Sequence, residues 1–493
     1  MKRTRKTSSV KNPRPIAARE EKDSMGGLRI PAGAYWGINS ARAAANFPIS
    51  GRPVSPGIIS AYCLVKKAAA AVNRRAGRLP ARKASAIARA ADEVLAGRLR
   101  DQFIVDRFQA GAGTSTNMNV NEVLCNRALE LLGLKKGAYG ALSPNDHVNM
   151  GQSTNDTYPT AARLAALEAL KGFRREADRL AASLAGRGRK FARVLKSGRT
   201  HLQDAVPVLL GREFAAYAAA VRSGAMNVGR AAEDLKELGI GGSAAGTGLN
   251  THPSFAGDMV RELSRLSGFR LRGAKDLMHA MQSQAPLARV SSALRDFAVE
   301  LGRVANDLRL LSSGPATGLA EIRLPEVQAG SSIMPGKVNP SVPEMANMVC
   351  FHAAGLDLSV SLAAAAGQLE LNVMMPLMAE NLLESIALLT AACGRLALLC
   401  VDGIAADSGR CRDYAWRSMG LATALAPSIG YLAAAGVAKR ALAAGRSVAA
   451  QLKEEGGLDG AELARLLDPA RMTRPARALR QKAGGGRRSN LVS

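Results

Sequence analysis

Apolar residues recur at three- and four-residue spacing through 160–195, 211–238, 287–313 and 341–402, a period that predicts long α-helices. Helices are also expected over roughly 57–98 and 121–132. From about 409 the helices shorten, with leucines at Leu458, Leu463, Leu466 and Leu467. Several long segments carry alanine and leucine on more than one face. A helix apolar on several faces is buried all round, which predicts a bundle within an oligomer. Strand-like alternation of Val, Ile and Tyr is hard to find, so a mainly helical protein is expected. Gly and Pro density over 30–37 predicts an irregular or short hairpin segment there.

Polar stretches interrupt this pattern. The eleven residues 330–340 contain two glycines and two prolines and cannot continue a helix. They carry the hydroxyls of Ser331 and Ser332, the ammonium of Lys337 and the amide of Asn339. Such a set suits holding a carboxylate and, with one serine deprotonated, taking a proton from carbon. The plain alternative is a polar turn between helices. Stretches 109–119 and 152–156 put hydroxyls and amides at helix starts, among them Thr114, Ser153, Thr154 and Asn155. Free N–H groups and the positive dipole end favour anions at such places, though an N-cap alone has the same composition. A further polar stretch, 197–207, carries Thr200 and His201 and reads as a loop. The glycine-rich run 239–248 lacks both the lysine of a phosphate loop and a GxGxxG register after a strand. It predicts close helix packing or a tight connection.

The 493 residues suffice for two or three domains, and with 47% hydrophobic but only 4% aromatic residues the core is built on alanine and leucine. The formal charge of +27 raises a nucleic-acid role. Its location argues otherwise: residues 1–22 are net +6 and 471–493 net +7, in ends expected to fray. No aromatic residues cluster among the basic ones to stack bases, whereas a basic body suits small dianions. The six cysteines form no CxxC pair and fit buried free thiols in a reducing compartment. The five histidines have no zinc-ligand spacing. The N-terminus lacks the apolar segment of a secretory signal, and 421–438 is broken by Pro427 and Gly430. A soluble cytoplasmic protein with no membrane partner is expected.

Four blocks taken together resemble the aspartase/fumarase superfamily. GSSIMPGKVNP at 330–340 matches the family's signature loop at every defining position. GAGTSTNMN at 111–119, QSTND at 152–156 and GRTHLQDAVP at 198–207 resemble its other blocks, and the likeness extends over about 20–475. It departs at Ala426, where relatives commonly have an amide, and at Met375, commonly polar. The resemblance implies a mainly α, three-domain fold. The segments would be a basic tail (1–20), an N-terminal helical domain (21–153), a central helix bundle (154–408), a small C-terminal domain (409–480) and a second tail (481–493). It implies a homotetramer whose sites are each shared by three subunits, and neither cofactor nor metal.

The chemistry implied by the resemblance is addition or removal of HX across the double bond of fumarate or a succinyl group. Ser331 would be the base. Lys337 and Asn339 would hold one carboxylate, and Thr114, Ser153, Thr154 and Ser332 the other. Asn155, Thr200 and His201 would surround the leaving group, with Glu344 orienting His201. A donor set without carboxylates suits the dianionic aci-carboxylate that proton loss creates. At 101–106, 112–115, 152–155 and 367–372 the text resembles the branch that removes ammonia from L-aspartate to give fumarate. The alternative is the branch that interconverts fumarate and L-malate. A catalytically silent relative is disfavoured by the intact Ser331, Lys337 and Asn339.

Overall fold

The computed structural model describes residues 17–456 and 460–475. The ends expected to fray fall mostly on 1–16 and 476–493, outside the described residues, as does Leu458. From the N-terminus come the antiparallel hairpin β1 (Ala18–Asp23) and β2 (Gly26–Pro31), then α1 (Ile38–Asn46), α2 (Pro56–Arg75), α3 (Ala81–Leu95) and α4 (Thr114–Leu131). The 37-residue α5 (Thr154–Lys190) follows, then the hairpin β3 (Leu195–Thr200) and β4 (Gln203–Leu209), and α6 (Leu210–Ala232). Next are β5 (Glu237–Leu238), α7 (Phe255–Ser267), β6 (Arg272–Gly273), α8 (Leu277–Gln282) and α9 (Ala285–Leu311). After β7 (Ile322–Arg323) come α10 (Ser341–Ala365), α11 (Met375–Leu399), β8 (Ala405–Ala406) and α12 (Ser408–Arg417). Four further helices, α13 (Ala426–Ile429), α14 (Tyr431–Ala443), α15 (Val448–Glu455) and α16 (Gly460–Leu466), follow, and a 3-10 turn at Pro469–Thr473 comes after them.

The chain divides into two compact units, one built from 17–177, 223–300 and 348–392, the other from 178–222, 301–347 and 393–475. Every passage from one to the other falls inside a long helix: α5, α6, α9, α10 and α11. The first unit buries Ile58, Tyr62, Val65, Ile87, Val120, Leu124 and Phe173 on the faces that the apolar spacing predicts. Tyr62 meets Tyr158 edge-on at 5.9 Å, and Phe173 meets Phe297 at 4.9 Å. In the second unit Phe191 packs on Phe214 at 5.3 Å, and Leu421, Leu425, Val437, Val448, Leu463 and Leu467 form a separate apolar cluster.

Three differences from the sequence reading have local causes. The stretch 197–207 is not a loop but a hairpin. Its alternation is disguised because the buried positions of β3 include Lys196 and Ser197 rather than apolar residues. Helix α4 begins at Thr114, not near 121, because Ala112 (φ 60°) and Gly113 (φ 82°) turn the chain immediately before it. The apolar run 341–402 is two helices, parted where Asn372 donates from its side chain to the carbonyls of Ala363 and Ala364 at 3.0 and 3.1 Å. Burial also differs: within one chain α10 leaves Met348, Phe351, Leu358 and Leu362 each more than 60% exposed. By length and composition α10 and α11 could cross a membrane.

Candidate active site

The residues singled out from sequence divide between the units. Thr114, Ser153, Thr154 and Asn155 belong to the first; Thr200, His201, Ser331, Ser332, Lys337, Asn339 and Glu344 belong to the second.

In the first unit two helix starts are tied together. Asn117, in the first turn of α4, donates to the Thr154 hydroxyl at the head of α5 at 3.1 Å. A hydroxyl that accepts in this way keeps its own proton free to donate to an acceptor near the helix N-terminus. Ser153 Oγ likewise accepts the Asn155 N–H at 3.2 Å, and the Asn155 side chain donates to Ala244 O at 2.8 Å. Thr114 stands exposed on the first turn of α4. Gly113 before it admits no side chain: a Cβ there would lie 2.0 Å from the Tyr158 ring.

Beneath this cluster sits Lys66 of α2, fully buried. Its ammonium donates to Asn117 Oδ1 (2.7 Å), Asn149 Oδ1 (2.9 Å) and Gln152 Oε1 (3.0 Å). Three neutral oxygens satisfy all three of its N–H bonds and leave the charge uncancelled by direct contact. Burial pushes it down to about 7, against the opposing pull of Asp156. Asp156 is also fully buried. It accepts the main-chain N–H groups of Ser153 (3.0 Å), Gly241 (2.9 Å) and Ser243 (3.1 Å), and so joins the glycine-rich run to the start of α5. Burial pushes its carboxyl up to about 6, opposed by those N–H groups and by Lys66. The glycines of that run sit in close contact, as expected: a Cβ on Gly241 would meet Ala256 at 2.5 Å, and one on Gly246 would meet Met278 at 2.6 Å.

In the second unit Thr200 and His201 lie at the turn of the β3–β4 hairpin. His201 (φ 56°) and Leu202 (φ 59°) both take the left-handed conformation that a two-residue type I′ turn demands. Gly or Asn usually fills these positions, and a leucine there is strained. The hairpin is fixed from below by charge. Buried Lys196 meets Glu213 at 2.8 Å and Glu321 at 3.1 Å, and Arg199 meets Glu321 at 2.9 Å.

The loop 330–340 is exposed apart from its ends. Ser331 Oγ accepts the N–H groups of Ile333 (3.2 Å) and Met334 (2.9 Å), and donors aimed at an oxygen favour its negatively charged form. The Asn339 side chain donates to Gly330 O. A Cβ on Gly330 would lie 2.0 Å from Lys337 O, so only glycine closes the loop on itself. Ser331, Met334, Gly336 and Lys337 line a cleft of about 410 Å³. Glu344 stands half-buried in the first turn of α10, and no hydrogen bond joins it to His201 among the described residues.

Sequence reasoning passed over Lys66, Asn117 and Asp156. A signal for the first existed: Lys66 is a charged residue on a helical face otherwise made of Ile59, Tyr62, Cys63, Ala69 and Ala70. Asp156 closes the block 152–156, and its carboxylate accepts where the rest of that block donates.

Hydroxyl and amide donors at two helix starts suit anionic groups, and the serine-bearing loop sets a hydroxyl on the same segment as an ammonium. A family model described as "Lyase" matches residues 26–355, and one described as "Fumarase C C-terminus" matches 421–474. An aspartate ammonia-lyase from Pseudomonas aeruginosa is 48% identical over 465 residues, spanning 94% of this chain and 98% of that protein. The solved fumarate lyase:delta crystallin of Brucella melitensis, bound to cobalt, is 48% identical. It superposes with a TM-score of 0.91 over 93% of this chain and 100% of that one. Class II fumarase from Schistosoma mansoni is 34% identical with a TM-score of 0.89, over 93% and 99%. The chain belongs to the aspartase/fumarase superfamily of lyases.

Proposed function

We propose that this chain is an aspartate ammonia-lyase, reversibly converting L-aspartate to fumarate and ammonia. The observation that carries the reading is the 48% identity to the P. aeruginosa enzyme over nearly the whole of both chains. The Ser331 alkoxide takes the proton from the carbon beside one carboxylate. The C–H electron pair moves into that carboxylate and forms a dianionic aci-carboxylate. As the pair returns, the C–N bond breaks on the opposite face, and ammonia leaves with fumarate. Two N–H groups already aimed at Ser331 Oγ lower the cost of its negative charge.

Lys337 and Asn339 hold one carboxylate; Thr114, Ser153, Thr154 and Ser332 hold the other. Asn155, Thr200 and His201 surround the leaving amine, with Glu344 orienting His201. Lys66 holds Asn117, Asn149 and Gln152 in place behind the hydroxyls, and in its protonated form it adds a positive charge that favours the more highly charged intermediate. The enzyme works as a homotetramer with shared sites, its subunits meeting on faces such as the exposed Met348, Phe351, Leu358 and Leu362 of α10. A cytoplasmic location fits its six free cysteines.

The likeness to class II fumarase keeps fumarate hydration as a second reading. Ultraviolet absorbance of fumarate separates the two: L-aspartate yielding fumarate with L-malate inert supports the lyase, and the reverse result selects the hydratase.

A further inference from the structure

Lys66 is one buried cation of the first unit; Arg163, in the third turn of α5, is another and serves none of the groups named above. It is 3% exposed. Its Nη1 donates to the main-chain oxygen of Glu237, and its Nε has no hydrogen-bond partner among the described residues. A guanidinium removed from water without an anion against it is costly to keep. Burial pushes this one down to about 10, opposed by the nearby charges of Glu237 and Asp234 and aided by those of Arg289 and Arg272.

The same three arginines line a cavity of about 120 Å³, together with His279, Ser283 and the first residues of α9, Ala285 and Pro286. The two acids of the wall already have cations: Asp234 pairs with Arg289 at 2.8 Å, and Glu237 with Arg272 at 3.1 Å. The N–H of Ala285, at the positive end of the 27-residue α9, reaches only the Ser283 hydroxyl, at 3.4 Å. Two of the three guanidinium groups are thus balanced by carboxylates within the wall, and Arg163 is left as the excess positive charge beside a hydroxyl and a helix start.

We infer that this cavity binds a small oxyanion, which balances the excess positive charge of the Arg163 guanidinium. The chemistry is that of inorganic phosphate or of a single carboxylate group: planar N–H forks match either, and a volume of about 120 Å³ accommodates one such group. None of the lining residues takes part in the proposed elimination, so the inference stands apart from that reading.

The test follows thermal unfolding of the full chain in sodium phosphate and in sodium acetate at constant ionic strength, against chloride. Phosphate should raise the melting temperature saturably. Arg289→Ala, at a side chain 54% exposed and so tolerant of change, should weaken half-saturation more than tenfold, and Arg163→Met should abolish the response. A larger saturable shift with acetate, lost in the same variants, assigns the site to a carboxylate. The inference falls if neither anion acts beyond chloride, or if Arg289→Ala responds as the unaltered chain does. Arg289→Ala decides the matter even where Arg163→Met fails to fold.

Discussion

The donor cluster of the first unit and the serine loop of the second are built on opposite principles. Lys66, Asn117, Thr154 and Asp156 are buried and hydrogen-bonded to one another or to main chain, on or beside the helices α2, α4 and α5. Ser331 through Lys337 touch water and bond within their own loop. The contrast teaches where each kind of chemistry can live. Anion binding gains from a fixed field, since dipoles already oriented need no reorganisation. A base that must strip a carbon of its proton needs access, then exclusion of water, and belongs on a segment with few outside restraints.

Four substitutions test this contrast. Ser331→Ala should lower kcat by about 10²–10⁴-fold, the span typical of losing a general base, with an unchanged melting temperature. Retained turnover would move the base to another group. In the cluster the order of effects should invert. Asp156→Ala strands three main-chain N–H groups, that of Gly241 buried and those of Ser153 and Ser243 part-buried, and should cost about 3–5 kcal/mol of stability in a denaturant titration.

Next in size is a pH effect. Lys66 sits near 7 when folded against about 10.4 when unfolded, so between these values the unfolded chain binds the extra proton. Stability contributed by this group therefore rises with pH across that window, by up to about 1.4 kcal/mol per unit. Lys66→Met should remove the slope, and a slope unchanged by the substitution would show the ammonium to be unperturbed. Asp156 acts oppositely and lower, costing stability as pH rises from about 3.9 to 6. Smallest should be Leu202→Gly, which relieves a left-handed leucine and should add up to about 1 kcal/mol. A turnover loss without a stability loss would show that the hairpin tip acts on substrate.

The long helices are legible because burial imposes its period over many turns; α9 begins and ends close to where its apolar spacing does, whereas α5 starts earlier, at the hydroxyl-rich Thr154, and ends before 195. The β3–β4 hairpin was not, because a polar face can be interior when ion pairs satisfy it; Glu321, more than a hundred residues away, is what makes Lys196 and Arg199 an inside surface. The site blocks were visible as composition, with hydroxyls and amides where helices start. What composition could not convey was the layer behind them. Lys66 reaches Asn117, Asn149 and Gln152 only through packing between α2 and α4, which no local pattern encodes.

The clip between Asn339 and Gly330 has a consequence for how a lid could work. With both ends of the segment latched together and no room for a side chain at Gly330, the stretch between them behaves as a stiff buckle rather than a slack thread. Any swing toward bound substrate is then pivoted outside 330–339, in the flanking chain. Much of the entropy of arranging the serine and the lysine is already lost before a ligand arrives.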